Sequence, residues 1–181
     1  NKFLVYDIIN NSYDYIAINR EEKNFMWTGG CEYLGKIYAF PRSSNDLLCF
    51  DVKSGKVDEI DLKLKYHNEH HYGGVKTENG IIYQPPRNSN HILKIDLNTK
   101  DAKKIFILPK ILNLKYRYTT GILHPDNNIY FFPEHDGRIM VLNVENEKIT
   151  FFQRRAEYGK RLANIPNKII WMFFVAKEIF K

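Results

Sequence analysis

Three near-copies of one pattern dominate this chain. The first, WTGGCEYLGKIYAFPRSSNDLLCFDVKSGKVDEI, begins at Trp27, and the second, HYGGVKTENGIIYQPPRNSNHILKIDLNTKDAKKI, begins at His71. The third, YTTGILHPDNNIYFFPEHDGRIMVLNVENEKITFF, begins at Tyr118. Tyr38, Tyr83 and Tyr130 align at intervals of 45 and 47 residues, as do Pro41, Pro86 and Pro133, and Asp51, Asp96 and Asn143. Agreement at several positions with nearly equal spacing identifies an internal repeat. A repeat constrains architecture more than any single motif does.

Each copy reads as four short strands. The first begins at the glycines, and the second is the apolar run that ends in proline (KIYAFP, IIYQPP, NIYFFP). A polar loop leads to a nearly all-apolar third run (LLCFD, ILKID, IMVLN), which suits a strand covered on both faces. A turn rich in Gly, Asn and Asp then opens the fourth. Prolines fit where strand pairing ends. Asp51, Asp96 and Asn143 stand where a short polar side chain bonds the amides of a turn. A four-stranded antiparallel unit recurring every 40 to 50 residues is a β-propeller blade. The fold class expected is therefore all-β. The one stretch with helical potential is 154–162.

The expected organisation is a single propeller domain, or a portion of one. Residues 1–20 supply the last two strands of a blade, since Asp7 lies 44 residues before Asp51. Full blades follow at 21–62, 63–108 and 109–153. Residues 154–181 supply the first strands of a further blade, because Asn167-Lys168-Ile169-Ile170-Trp171 resembles Asn79-Gly80-Ile81-Ile82-Tyr83. Joining the halves would close a four-bladed ring. The strand-like start and finish of the chain favour a portion of a larger ring.

Composition agrees with strands: 12 Tyr and 12 Phe contribute to an aromatic content of 14%. The net charge is +6 with Lys and Arg dispersed, so no basic stripe points to nucleic acid. No apolar run is long enough for a membrane-spanning helix. Cys31 and Cys49 are 18 residues apart, without metal-type spacing, and read as buried thiols. Nothing in the sequence indicates a compartment.

The glycine-led copies resemble the kelch-like and streptogramin-lyase-like propeller repeats, over about residues 1 to 151 and more weakly to 181. That resemblance implies a disc with a central channel and ligands held over its mouth or on the loops of one face. Its motif speaks to fold and is nearly silent on activity.

GGVKTENG is not a phosphate loop. It lacks Lys-Ser/Thr after the last glycine and leads into a strand, so no helix N-terminus would face a phosphate. The cluster His67-Asn68-Glu69-His70-His71 has metal-type donors but not the i, i+4 helical spacing of a zinc site, and reads as a loop. Neither cofactor nor metal is expected. Alignment places Trp27, His71 and Tyr118 at one position before the glycines, where three rings would offer a stacking surface to a sugar or peptide. The loops after the prolines carry Arg42 and Arg87, with Glu134 and His135 at the matching place in the third copy. These seven residues are the candidate ligand-binding set. Arginine suits carboxylates and phosphates through its fork of donors.

The function expected is a non-catalytic module that binds a protein or glycan ligand through one face. Two alternatives stand beside it. One is a metal-assisted lyase or lactonase-type hydrolase using His71, Glu134 and His135. The other is a structural repeat unit that completes its ring by oligomerisation or with further sequence.

Overall fold

The computed structural model describes residues 2–18, 26–64, 70–106, 118–134 and 137–153. Among these the chain is all-β, with fourteen strands and no helix. The expected strands of 154–181 and the helical stretch 154–162 lie outside the described residues.

A two-stranded hairpin comes first, β1 (Lys2–Asp7) with β2 (Ser12–Ala17). Three four-stranded antiparallel meanders follow. The first is β3 (Trp27–Tyr33), β4 (Lys36–Pro41), β5 (Asp46–Asp51) and β6 (Val57–Asp61). The second is β7 (Val75–Lys76), β8 (Ile81–Gln84), β9 (His91–Asp96) and β10 (Ala102–Phe106). The third is β11 (Tyr118–Leu123), β12 (Asn128–Pro133), β13 (Arg138–Asn143) and β14 (Ile149–Gln153). These are blades of propeller type.

The repeat is reproduced in register. Tyr38 pairs with Cys49, Tyr83 with Lys94, and Tyr130 with Val141. One turn recurs four times between the third and fourth strands of a unit. Asp51 Oδ1 accepts from the Lys53 and Ser54 amides, and Asp96 Oδ1 from those of Asn98 and Thr99. Asn143 Oδ1 accepts from Glu145 and Asn146, and Asp7 Oδ1 from Ile9 and Asn10. Four residues after each acceptor the backbone turns left-handed, at Gly55, Lys100, Glu147 and Asn11. The aspartates and the asparagine are thus turn formers, and β1–β2 carries the same turn as β5–β6.

The core lies between sheets. Tyr38, Phe40, Leu47 and Cys49 of the first blade pack with Ile82, Leu93 and Ile95 of the second. On the opposite face of the second blade, Val75, Tyr83 and Ile92 pack with Tyr118, Ile129, Phe131, Met140 and Leu142 of the third. Successive residues of β8 and β9 therefore serve different interfaces, as the twofold side-chain period of a strand requires. This is why the third strands read as continuous apolar runs: a blade is covered on both faces. Each Leu or Ile so buried contributes on the order of 1.5–3 kcal/mol.

The first strands approach one another closely. A Cβ built at Gly29 would lie 3.5 Å from Gly73 Cα, and one at Gly73 would lie 2.7 Å from the Thr119 carbonyl oxygen. Gly29 and Gly73 allow this backbone packing between blades, and both adopt positive φ.

Candidate functional site

The meander order fixes which loops share a face. Trp27 pairs with Pro41, His71 with Pro86 and Tyr118 with Pro133, so each first strand begins where the second ends. The loops between second and third strands leave from that same end. They are clamped alike in two copies: the Arg42 and Ser43 amides donate to Met26 O, and those of Arg87 and Asn88 donate to His70 O.

The three aligned rings occupy equivalent places but differ in access. His71 is fully buried and Tyr118 is 1% exposed within the interface between the second and third blades. Trp27 is half-buried, and its Nε1 donates to Asp46 O at 2.9 Å. Two of the three rings thus pack inside the protein, where a ligand does not reach them.

His71 belongs to a buried polar cluster. Its Nε2 lies 3.3 Å from both His91 O and Ser89 Oγ, and its ring centroid is 4.9 Å from that of His91. Burial, followed by the neighbouring His91, pushes its pKa down to about 3, so the ring is neutral near pH 7. Ser89 Oγ also donates to His91 O, and Asn88 Oδ1 accepts from the His70 amide. This cluster holds the loop that carries Arg87.

Arg42 and Arg87 converge on Tyr72. The Arg87 guanidinium carbon lies 4.5 Å from the centroid of the Tyr72 ring, and that of Arg42 lies 5.1 Å from it. All three side chains are half-buried. One arginine comes from the first blade and the other from the second, so the pair spans a blade boundary. Beneath them Gln84 Nε2 donates to Pro41 O and Gly73 O, at 3.0 and 2.8 Å, tying the second blade to the first. The ring attracts both cations through its quadrupole and gives one loop arginine from each blade a common aromatic anchor. Each guanidinium carries a planar fork of donors of the kind that suits a carboxylate.

Tyr72 is the member that sequence reasoning missed. Its counterparts are Thr28 and Thr119, so the second copy alone places an aromatic ring next to the glycines. That exception, lying between two loop arginines 45 residues apart, was the available signal. Glu134 is exposed in the third copy, while His135 and the cluster members His67, Asn68 and Glu69 lie outside the described residues. Among the described residues, no three His, Cys, Asp or Glu side chains are grouped so as to hold a metal ion. Likewise no helix there is long and apolar enough to cross a membrane. Cys49 is buried and Cys31 half-buried, both as free thiols. Burial raises the Cys31 pKa to about 11, against nucleophilic use.

No protein-family model matches the chain, and no curated protein does. Solved structures do match. A catalytically inactive variant of virginiamycin B lyase from Staphylococcus aureus, with quinupristin, superposes with a TM-score of 0.68 at 16% identity. That match covers 86% of this chain and 50% of the lyase. A streptogramin B lyase structure gives a TM-score of 0.67 at 17% identity, covering 85% and 48%. The extracellular domain of a hybrid two-component system from B. thetaiotaomicron gives 0.60 at 15% identity, covering 84% of this chain and 20% of that one. The chain spans about half the length of the lyases it matches, and the likeness establishes the propeller fold.

Proposed function

We propose that this chain is a non-catalytic β-propeller module that binds a carboxylate-bearing protein or glycan ligand through the face carrying Arg42, Tyr72 and Arg87. The observation that supports it is the convergence of two guanidiniums, from adjacent blades, on one half-buried tyrosine ring. Such an arrangement anchors a donor fork from each of two adjacent blades against the same ring. Trp27 and Glu134 are placed on the same side of the blades and would contact the remainder of a larger ligand. Binding of the 181-residue chain to arrayed acidic peptides and uronate oligosaccharides tests this reading. The Arg42→Ala/Arg87→Ala variant is expected to lose at least about tenfold in affinity for the strongest probe. Unchanged affinity in that variant would refute the assignment.

The competing reading is a lyase or hydrolase, drawn from the activity of the structural neighbours. It asks His71 to reach a ligand, and that ring is fully buried behind the Arg87 loop. The binding reading uses residues already at the surface.

A further inference from the structure

The first strand of the second blade is broken where its neighbours are whole. β3 runs for seven residues and β11 for six, but β7 holds only Val75 and Lys76. His71 keeps its place opposite Pro86 as an isolated bridge, and Tyr72, Gly73 and Gly74 lie between the two pairings. Tyr72 thus sits on backbone outside the strand ladder. The buried side chain of Gln84, on β8, holds that backbone instead: its Nε2 donates to Gly73 O at 2.8 Å.

The same nitrogen crosses the blade boundary and donates to Pro41 O at 3.0 Å. Pro41 precedes Arg42 and Gly73 follows Tyr72, so one amide grips the backbone next to both. The clamps on the two arginine loops each stay inside one blade. The Arg42 amide donates to Met26 O in the first, and the Arg87 amide to His70 O in the second. At the next boundary the carbonyl equivalent to Pro41 O is that of Pro86, and it accepts from the Tyr118 main-chain amide at 3.2 Å. A side chain does at the first boundary what main chain does at the second. The fold does not require an amide at this position of a blade, since the equivalents of Gln84 are Ala39 and Phe131. The copy that carries the amide is also the copy that carries the Tyr72 ring.

We propose that Gln84 is the positioning residue of the Arg42, Tyr72 and Arg87 site, setting where Arg42 of the first blade meets the Tyr72 ring of the second. Apolar contact at this boundary comes from the Phe40 ring, which a Cβ built at Gly74 would approach to 2.9 Å. Such contact resists separation but has no direction. Two hydrogen bonds from one planar amide do have direction. Arg87 reaches the ring from within the same blade and does not need the bridge. The role rests on the ligand reading above, and it makes Arg42 the arm of the site that fails when the bridge is lost.

Gln84→Met keeps the length of the side chain and removes both donors. Side-chain NMR of the ligand-free chain reads the geometry, because the Tyr72 ring shifts the signals of arginine protons held against it, and Tyr72→Leu supplies the reference without the ring. In Gln84→Met, Arg42 is expected to lose at least about half of its ring-induced shift while Arg87 keeps its own. A folded Gln84→Met that retains the Arg42 shift would overturn the proposal. Equal loss at both arginines, the mark of general loosening, would overturn it too. With the strongest carboxylate probe, Gln84→Met is expected to bind at least about threefold more weakly than wild type, and to add nothing once Arg42→Ala is in place. Additive losses would count against action through Arg42. A wild-type chain that binds no carboxylate probe would refute the ligand reading, and the ring shifts would still decide what places Arg42. Should Gln84→Met not fold, the unmodified chain decides. The Gln84 side-chain amide protons are expected to exchange with solvent at least about tenfold more slowly than those of an exposed amide. Exchange at the exposed rate would overturn the bridge.

Discussion

Gly73 and Gly55 both have positive φ, at 62° and 70°, but only Gly73 is hemmed in. A methyl group at Gly73 would meet the Thr119 carbonyl oxygen at 2.7 Å, whereas one at Gly55 meets nothing within 4 Å. Gly73→Ala is therefore expected to cost at least about 2 kcal/mol, and Gly55→Ala about 1 kcal/mol, by urea denaturation. Equal costs would show that the first strands are not in backbone contact. His71 supplies the second prediction at this scale. The unfolded chain takes up a proton on this residue at the ordinary 6.5, while the folded chain holds the ring neutral down to about pH 3. Between those values the unfolded state binds more protons, so stability present above pH 6.5 is lost as the pH falls. The loss is on the order of 3 kcal/mol by pH 4. His71→Tyr, which introduces the ring of the third copy, is expected to flatten the fall of Tm between pH 7 and pH 4. An unchanged slope would mean that His71 is not buried.

Blades are joined by polar ties as well as by the core. Glu147, in the last turn of the third blade, accepts from Lys94 Nζ on β9 at 2.7 Å and from Lys103 Nζ on β10 at 2.8 Å. The two lysines, with hydrogen bonding, hold the Glu147 carboxyl below its usual pKa against the opposing effect of burial. These groups are partly exposed, so Glu147→Gln is expected to cost no more than about 1 kcal/mol, and less in 1 M NaCl. A salt-independent loss would argue against the ion pairs. At this scale the sequence was most informative. The repeat placed Trp27, His71 and Tyr118 at one position, and in the structure each pairs with the proline of the following strand. The turn residues Asp51, Asp96 and Asn143 were legible for the same reason, because the position recurs in each copy.

For the whole molecule, the propeller class was readable because a blade is built by local meanders whose period survives in sequence. The site was readable only in part. Arg42 and Arg87 recur at one loop position, but their meeting on Tyr72 depends on how adjacent blades stack. Nor does position in a repeat give exposure: one position leaves Trp27 half-buried, His71 fully buried and Tyr118 nearly so. Burial there follows from the neighbouring blade, which differs for each copy. The central claim is that two arginine forks recognise a carboxylate, and charge alone would not distinguish it from diffuse attraction. Arg87→Lys keeps the charge and removes the fork, so it isolates the claimed chemistry. Titration calorimetry of the strongest carboxylate probe against the wild-type chain, Arg87→Lys and Arg87→Ala is the most direct measurement. The account predicts that Lys recovers little of the loss caused by Ala, with both variants at least about tenfold weaker than wild type. Wild-type affinity in Arg87→Lys would contradict it.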